Sequence, residues 1–334
     1  MSSRPLVSIL TPVFNGGRYL GEAIESVLSQ SYTHWCYLIV NNCSTDDTLA
    51  VAERYARKDS RITVVTNDSF VNCESNHNNA FRRISPDCRY CKVISADDWL
   101  LPGALERFVD FALEHPTVGI VGSYQQSGDT VRWKGLSPDT SVISGREVCR
   151  RTLLEELQVF GNPTSLLYRS DLVRRAESFF PHDRPYADTS ACYANLHDCD
   201  FGFIHEVLTV ERVHAERVSV RAQLLDTGVL ALLETVIEHG PAYLTQSELR
   251  VLRARVEAAY YRTLTRGLLR LKGRSYLEFH DAGLRGMGLR LSKSRIAASA
   301  VGIAATKLLR PFASPGKLGS ALDAHKKGRA SLSS

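Results

Sequence analysis

Residues 93–100 read VISADDWL, an apolar run that ends in two adjacent aspartates, Asp97 and Asp98. Two like charges at the mouth of a buried strand are costly unless something cationic meets them. Adjacent acids at a strand end suit a hard divalent ion such as Mg2+ or Mn2+. Such ions take oxygen ligands and combine few protein carboxylates with phosphate oxygens. On this reading Asp97 and Asp98 face a metal carrying a diphosphate. A plainer reading fits equally well: one aspartate caps the helix that begins near Pro102, and the other is solvated. Other phosphate-binding schemes are missing, since no GxxxxGK[ST] loop occurs and Asn15-Gly16-Gly17 is not a GxGxxG fingerprint.

The elements that must position these acids alternate. Leu6–Leu10 is a buried-strand run, and the Asn15-Gly16-Gly17 turn follows it. Leu20, Ala23, Ile24, Val27 and Leu28 then recur on one helical face. Strands are expected at 37–40, 62–65, 91–95 and 118–121, with a helix over 74–84. Ser44-Thr45-Asp46-Asp47 opens another helix as a cap with acids in its first turn. Pro102 marks a first helical position, Leu105, Phe108, Val109, Ala112 and Leu113 form the stripe, and Pro116 stops it. Strands alternating with single helices predict a layered α/β sheet with parallel strands. Ligands of such sheets sit beyond the carboxyl ends of the strands. Thr11-Pro12, Asn41-Asn42 and Asp97-Asp98 all fall there.

The rhythm loosens over 125–200, a strand is expected within 201–213, and the pattern is helical from 222, with a long basic run over 247–271. This predicts three parts: an α/β domain over 1–221, a helical region over 222–313, and a Gly-, Ser-, Ala- and Lys-rich disordered tail over 314–334. The chain has 334 residues and a mild formal charge of +5, which demands no nucleic acid. Basic residues gather between Arg250 and Lys327, which suits peripheral contact with a membrane surface. Met1–Pro5 leads straight into a strand and reads as no secretory leader, and no apolar stretch reaches the roughly 18 residues of a span. Eight cysteines in such a chain read as reduced thiols and a cytoplasmic setting, peripheral at the inner membrane's cytoplasmic face. Cys88-Arg-Tyr-Cys91 has redox or zinc spacing, but no second pair accompanies it, and packing is the favoured reading.

Three segments together carry a resemblance. Val7-Ser8-Ile9-Leu10-Thr11-Pro12-Val13-Phe14-Asn15, Leu38–Thr48 and Val93–Leu100 resemble, in this order and spacing, the family 2 glycosyltransferases. Gly161–Ser165 and Val207–His214 resemble further landmarks, and the likeness runs from about Leu6 to about Val220. It implies the GT-A fold, a Rossmann-like, mixed and mainly parallel sheet flanked by helices. It also implies transfer of a sugar, with inversion, from a nucleotide sugar (UDP-linked in this reading) to a glycan or lipid-linked hydroxyl in polysaccharide synthesis, with Mn2+ or Mg2+. By the same resemblance Thr11, Pro12, Phe14 and Asn15 match the loop around base and ribose. Asn41 matches the position of a base-binding aspartate, and Asn78 an asparagine near the nucleotide. Ser95, Ala96 and Asp97 match the DxD motif, and Asp97 and His214 the metal and phosphate contacts. Asp188 matches the catalytic base, with Asp183 as a nearby rival.

Two departures stand out: Ser95 replaces the first DxD acid, and Asn41 replaces the usual aspartate. They motivate a second reading, a catalytically inactive relative that binds nucleotide or carbohydrate as a partner protein. A sugar nucleotidyltransferase ranks below both, for want of a Gly-rich N-terminal loop with a basic residue after it. Other polar groups have bland readings: Asp46 and Asp47 as helix caps, His205-Glu206 and His197-Asp198 as surface residues, and both Arg150-Arg151 and the Arg250–Arg274 basics as solvated faces, the reading favoured over membrane contact. Trp99 is equally a core anchor or a stacking surface for acceptor sugar.

Overall fold

The computed structural model describes residues 4–155, 157–182, 186–214 and 224–309. Two compact units divide the chain, Met1–Glu257 and Ala258–Ser334. The expected boundary at 221–222, the tail over 314–334 and Asp183 lie outside the described residues.

The first unit opens with β1 (Val7–Val13), α1 (Gly17–Leu28), β2 (Trp35–Asn41), α2 (Thr48–Ala56), β3 (Ile62–Thr66), α3 (Cys73–Phe81) and β4 (Tyr90–Val93). These four strands are parallel, in the order β3-β2-β1-β4. Their apolar runs reflect burial on both faces: Val7, Ile9, Leu10, Ile39 and Val40 are fully buried. α1 buries Leu20, Ala23, Ile24 and Val27, the stripe its periodicity predicts. The cap of α2 comes from Asp46, whose Oδ1 accepts from the Thr48 amide at 3.0 Å and whose Oδ2 accepts from the Gly17 amide at 3.1 Å. One carboxylate thus caps α2 and pins the start of α1. Glycine fits Gly17's place, since a Cβ there would lie 2.9 Å from the backbone nitrogen of Thr48 as well as against the Asp47 carboxylate.

The chain continues through β5 (Trp99–Leu100), α4 (Ala104–Glu114), β6 (Val118–Ser127), β7 (Thr130–Arg132), β8 (Val142–Ser144) and α5 (Gly145–Glu155). After a 3-10 turn at Pro163–Ser165 come β9 (Leu166–Arg169), α6 (Ser170–Arg175), α7 (Ala187–Asn195) and β10 (Asp200–Glu211). α4 starts two residues after Pro102, because Gly103 takes a left-handed conformation (φ 74°) just before it. Beyond β4 the sheet is mixed, as the resemblance implies. β9 enters antiparallel between β4 and β6, β10 runs parallel to β6, and β5 closes the order antiparallel to β10. The loosely patterned region beyond residue 125 therefore supplies the strand that β4 needs on its open side.

Cys88, just before β4, and Cys91, within it, are buried free thiols, with Arg174 Nη2 3.3 Å from Cys88 Sγ. α8 (Thr227–Glu238) and α9 (Gly240–Tyr243) complete the first unit, and α10 (Gln246–Leu269) runs across the division. The second unit holds the rest of α10, α11 (Arg274–Gly286) and α12 (Lys293–Leu309). Tyr260, Tyr276 and His280 pack against one another in its core. No described helix is long and apolar enough to cross a membrane.

Candidate active site

β4 ends at Val93, and the chain turns through Ser95, Ala96, Asp97 and Asp98 into β5 on the far edge of the sheet. The two aspartates leave the centre of the sheet and meet the end of β10, which pairs with β5 through Val210↔Trp99. Their environments differ. Asp98 is buried, accepting from the Arg212 amide at 3.2 Å and the Asn162 amide nitrogen at 3.4 Å. Asp97 is partly exposed, and its Oδ2 lies 2.9 Å from His214 Nε2. One acid is therefore built into the frame, and its neighbour faces outward beside an imidazole.

Arg212 delivers that imidazole. Its guanidinium stands 4.8 Å from the Tyr19 ring and 4.7 Å from the Trp99 ring, pairs with Glu22, and donates from Nε to the Asp97 carbonyl at 3.3 Å. Trp99 thus has a third role, as one side of a slot for arginine. The His214 ring rests 5.1 Å from Tyr19, and its Nδ1 is buried without a partner among the described residues.

Near Asp98 lies Lys92, a fully buried lysine in a strand that reads as apolar. Its Nζ donates to the carbonyls of Thr164 and Leu166 and lies 4.3 Å from the Phe108 ring centre. Burial holds the amine well below the ordinary lysine range, with Asp98 pulling weakly the other way. The Thr164 hydroxyl sits 3.1 Å from the Ser95 amide and 3.2 Å from Ser95 Oγ. Ser95 is thereby committed to the 162–165 turn.

The loop after β1 is locked to the loop after β2. Asn15, at φ 49°, accepts from the Thr45 amide at 2.8 Å, and its own amide donates to Ser44 Oγ at 3.0 Å. Asn41 is buried, donating to Thr66 Oγ1 at 3.2 Å and accepting from the Ser44 amide at 3.1 Å. Thr11 is fully buried, its hydroxyl 2.7 Å from the Ile94 carbonyl and 2.8 Å from the Tyr37 hydroxyl. Pro12 is half-buried within β1, and Ala96 is half-buried in the turn that carries the acids. Phe14 is exposed and stands edge-on to exposed Phe70, ring centres 4.8 Å apart. This aromatic pair offers a flat surface of the kind that stacks on a base.

Asn78 is buried and spends both ends of its amide on the Phe180 backbone, at 2.7 and 2.9 Å. That clasp ties the 178–182 segment to α3. Asp188, in the first turn of α7, accepts from the Thr189 amide at 2.7 Å. It is half-buried, and burial raises its carboxyl to about 6, with Glu74 adding in the same direction. Glu74 stands in the first turn of α3, which follows β3.

Asp97 and His214 are thus brought together. Phe14 and Asn15 lie in the loop after β1, and Asn41 closes β2 beside them, while Thr11 and Asn78 are spent inside the fold. Sequence reasoning passed over Lys92 and Phe70, and it placed Asn162, Thr164 and Arg212 in landmark segments without giving them a role. A lysine inside Tyr90–Ile94 was a legible signal, because a charge in a buried strand needs partners. For a divalent metal, the fit is partial but specific. Among the described residues, no group of three or more His, Cys, Asp or Glu is placed to hold an ion. One outward carboxylate beside an imidazole with an orphaned nitrogen suits an ion completed by diphosphate oxygens.

A family model, glycosyl transferase family 2, matches residues 8–174, half of the chain. TuaG of Bacillus subtilis (strain 168), a glycosyltransferase assigned to teichuronic acid biosynthesis, is 35% identical over 111 residues. That match covers 33% of this chain and 43% of TuaG, so the chain spans less than half of that relative's length. Among solved structures, Staphylococcus aureus TarS 1–349 in complex with UDP-GlcNAc superposes with a TM-score of 0.63 at 14% identity, covering 88% of this chain and 87% of that one. The mannosyltransferase PcManGT from Pyrobaculum calidifontis, in complex with GDP-Man and Mn2+, gives 0.57 at 18% identity, covering 93% and 83%. At such identities these two likenesses speak for the fold.

Proposed function

The chain belongs to glycosyl transferase family 2, and we propose that it transfers a sugar from a nucleoside diphosphate sugar to a hydroxyl of a glycan or lipid-linked acceptor, with inversion. UDP is the proposed nucleotide, in keeping with the UDP-GlcNAc complex of the TarS fold relative. Surface polysaccharide synthesis is the proposed setting, in keeping with TuaG. The contact between Asp97 and His214, at the carboxyl ends of the strands, carries this reading.

In it, the aromatic pair Phe14–Phe70 and the loops of Asn15 and Ser44–Thr45 beside Asn41 take the base and ribose. Asp97 and His214 are the residues that would hold Mn2+ or Mg2+, and such an ion, when bound, would supply positive charge against the diphosphate. The chain's own residues supply the rest. Asp98, Lys92 and Thr164 fix the turn that presents Asp97. Asp188, ionised above pH of about 6, accepts the proton of the attacking hydroxyl as general base. Calorimetric titration with UDP, with and without Mn2+, alongside Asp97→Ala, tests the donor site. Metal-dependent binding that the substitution abolishes supports the reading. Absence of binding to UDP and to other nucleoside diphosphates overturns it.

One observation favours the inactive-relative reading: Ser95 and Asn41 both turn their side chains to internal hydrogen bonds. Slow hydrolysis of a UDP-sugar without acceptor, lost in Asp97→Ala, would dismiss it. Family membership leaves the nucleotidyltransferase reading without support.

A further inference from the structure

The second unit differs sharply in charge from the first. Residues 258–334 carry 15 Lys and Arg against 3 Asp and Glu, a formal +12. Residues 1–257 carry 26 against 33, a formal −7. The mild overall charge therefore conceals one strongly cationic unit.

Its cations are arranged. Arg262 and Arg266 stand one turn apart on α10, and Arg270 follows one turn on at the helix end, its amide donating to the Arg266 carbonyl at 3.1 Å. All three are exposed, and none forms an ion pair with another described residue. The helix then ends in a Schellman turn. The Lys272 amide donates to the Gly267 carbonyl at 3.2 Å, and the Leu271 amide to the Leu268 carbonyl at 3.0 Å. That turn needs a left-handed residue, almost always glycine. Here it is Leu271, at φ 54°, and its side chain is 88% exposed. Leu269, one residue inside the helix, is 61% exposed. A leucine in a glycine's place costs strain, and it gains no packing to offset that strain. Strain at an exposed position points to use outside the fold. In the same unit, α12 keeps an uncharged stretch over Ile296–Thr306 in which Val301 is 70% exposed.

We propose that the α10–α11 turn docks on an anionic lipid surface, with Leu271 and Leu269 entering the acyl boundary and Arg262, Arg266 and Arg270 meeting the headgroup phosphates. Charge complementarity selects an anionic partner, and the displayed leucines select a bilayer over a soluble polyanion, which has no use for them. The proposal is independent of the donor site, and it would place the enzyme beside a lipid-linked acceptor.

The test is flotation of the full chain with vesicles of equal parts phosphatidylglycerol and phosphatidylcholine, against phosphatidylcholine alone. Binding should require phosphatidylglycerol and weaken as salt rises. Leu271→Gly suits the left-handed turn, so its thermal midpoint should stay or rise while its partitioning falls about tenfold. Arg266→Gln and Arg270→Gln should each cost about fivefold. UDP affinity should be unchanged in all three. Equal binding to both vesicles, or full binding by Leu271→Gly, overturns the proposal. So does competition by polyphosphate that ignores Leu271, which would assign the surface to a soluble polyanion. A wild-type dimer that Leu271→Gly dissociates in sedimentation without vesicles would assign it to a second copy of the chain.

Discussion

His214 Nε2 lies 2.9 Å from Asp97 Oδ2, across 117 residues of sequence. β5 and β10 create this pair by placing the turn after β4 beside the end of the last strand of the sheet. If the pair forms the diphosphate and metal site, its members should fail differently. Asp97→Ala should abolish Mn2+-dependent UDP binding. His214→Ala, which leaves the carboxylate, should weaken it by about tenfold to a hundredfold. Calorimetry with and without Mn2+ separates the two. Equal UDP affinity in all three proteins would detach the pair from the donor site.

Arg212 positions this pair. Its guanidinium fills the slot between Tyr19 and Trp99, while its amide holds Asp98. Arg212→Lys keeps the charge but loses the planar stacking and the fork. The expected result is a rise in donor KM of about tenfold with kcat changed less, and a higher Mn2+ requirement. A purely structural role would lower the thermal midpoint and leave the Mn2+ dependence of the remaining folded enzyme unchanged.

Asp188 sets the pH prediction. Burial raises its carboxyl to about 6, so a base at this position loses activity as pH falls through about 6. Asp188→Asn keeps the bond from the Thr189 amide but cannot take a proton. It should lower kcat by a factor of about 100–10,000 and leave donor KM nearly unchanged. The stability effect has the opposite sense. The folded state holds this proton more tightly than the unfolded chain, so the carboxyl's contribution falls as pH rises from about 4 to about 6. Asp188→Asn should melt no lower than wild type at pH 7.5. A pH–rate profile and melting curves at pH 5 and 7.5 check both statements.

Much of the frame was legible because burial writes itself into sequence at fixed periods. The stripes of α1 and α4 and the runs of β1 and β2 are sandwiched elements, and they reappear where expected. β1, however, runs on to Val13, so Thr11 and Pro12 lie inside the strand and not beyond its end. The strand-end rule also directed attention to the turn at Ser95–Asp98. What escaped depends on partners distant in sequence. β9 is a four-residue strand, too short for a pattern, and its antiparallel place follows from the open side of β4. Thr164 and Ser95 are 69 residues apart, so neither announces the other. Asn41 and Asn78 could be read for identity, but their hydrogen bonds could not. Asn78 holds a backbone segment 102 residues away.

Lys92 offers a prediction about the frame itself. Its neutral amine has two N–H donors and two carbonyl acceptors, those of Thr164 and Leu166, so deprotonation leaves it satisfied. Lys92→Met fills similar space but leaves both buried carbonyls without that donor, a loss of about 1–3 kcal/mol. Because burial lowers the folded amine's proton affinity, the unfolded chain binds the proton more tightly, and wild-type stability should rise with pH toward the ordinary lysine range. The variant lacks this gain. Denaturant melts should therefore show a gap between the two proteins that is wider at pH 9 than at pH 7. A gap that narrows would mean that Lys92 stays charged in the fold, held by Asp98, and that the turn presenting Asp97 rests on a buried ion pair instead.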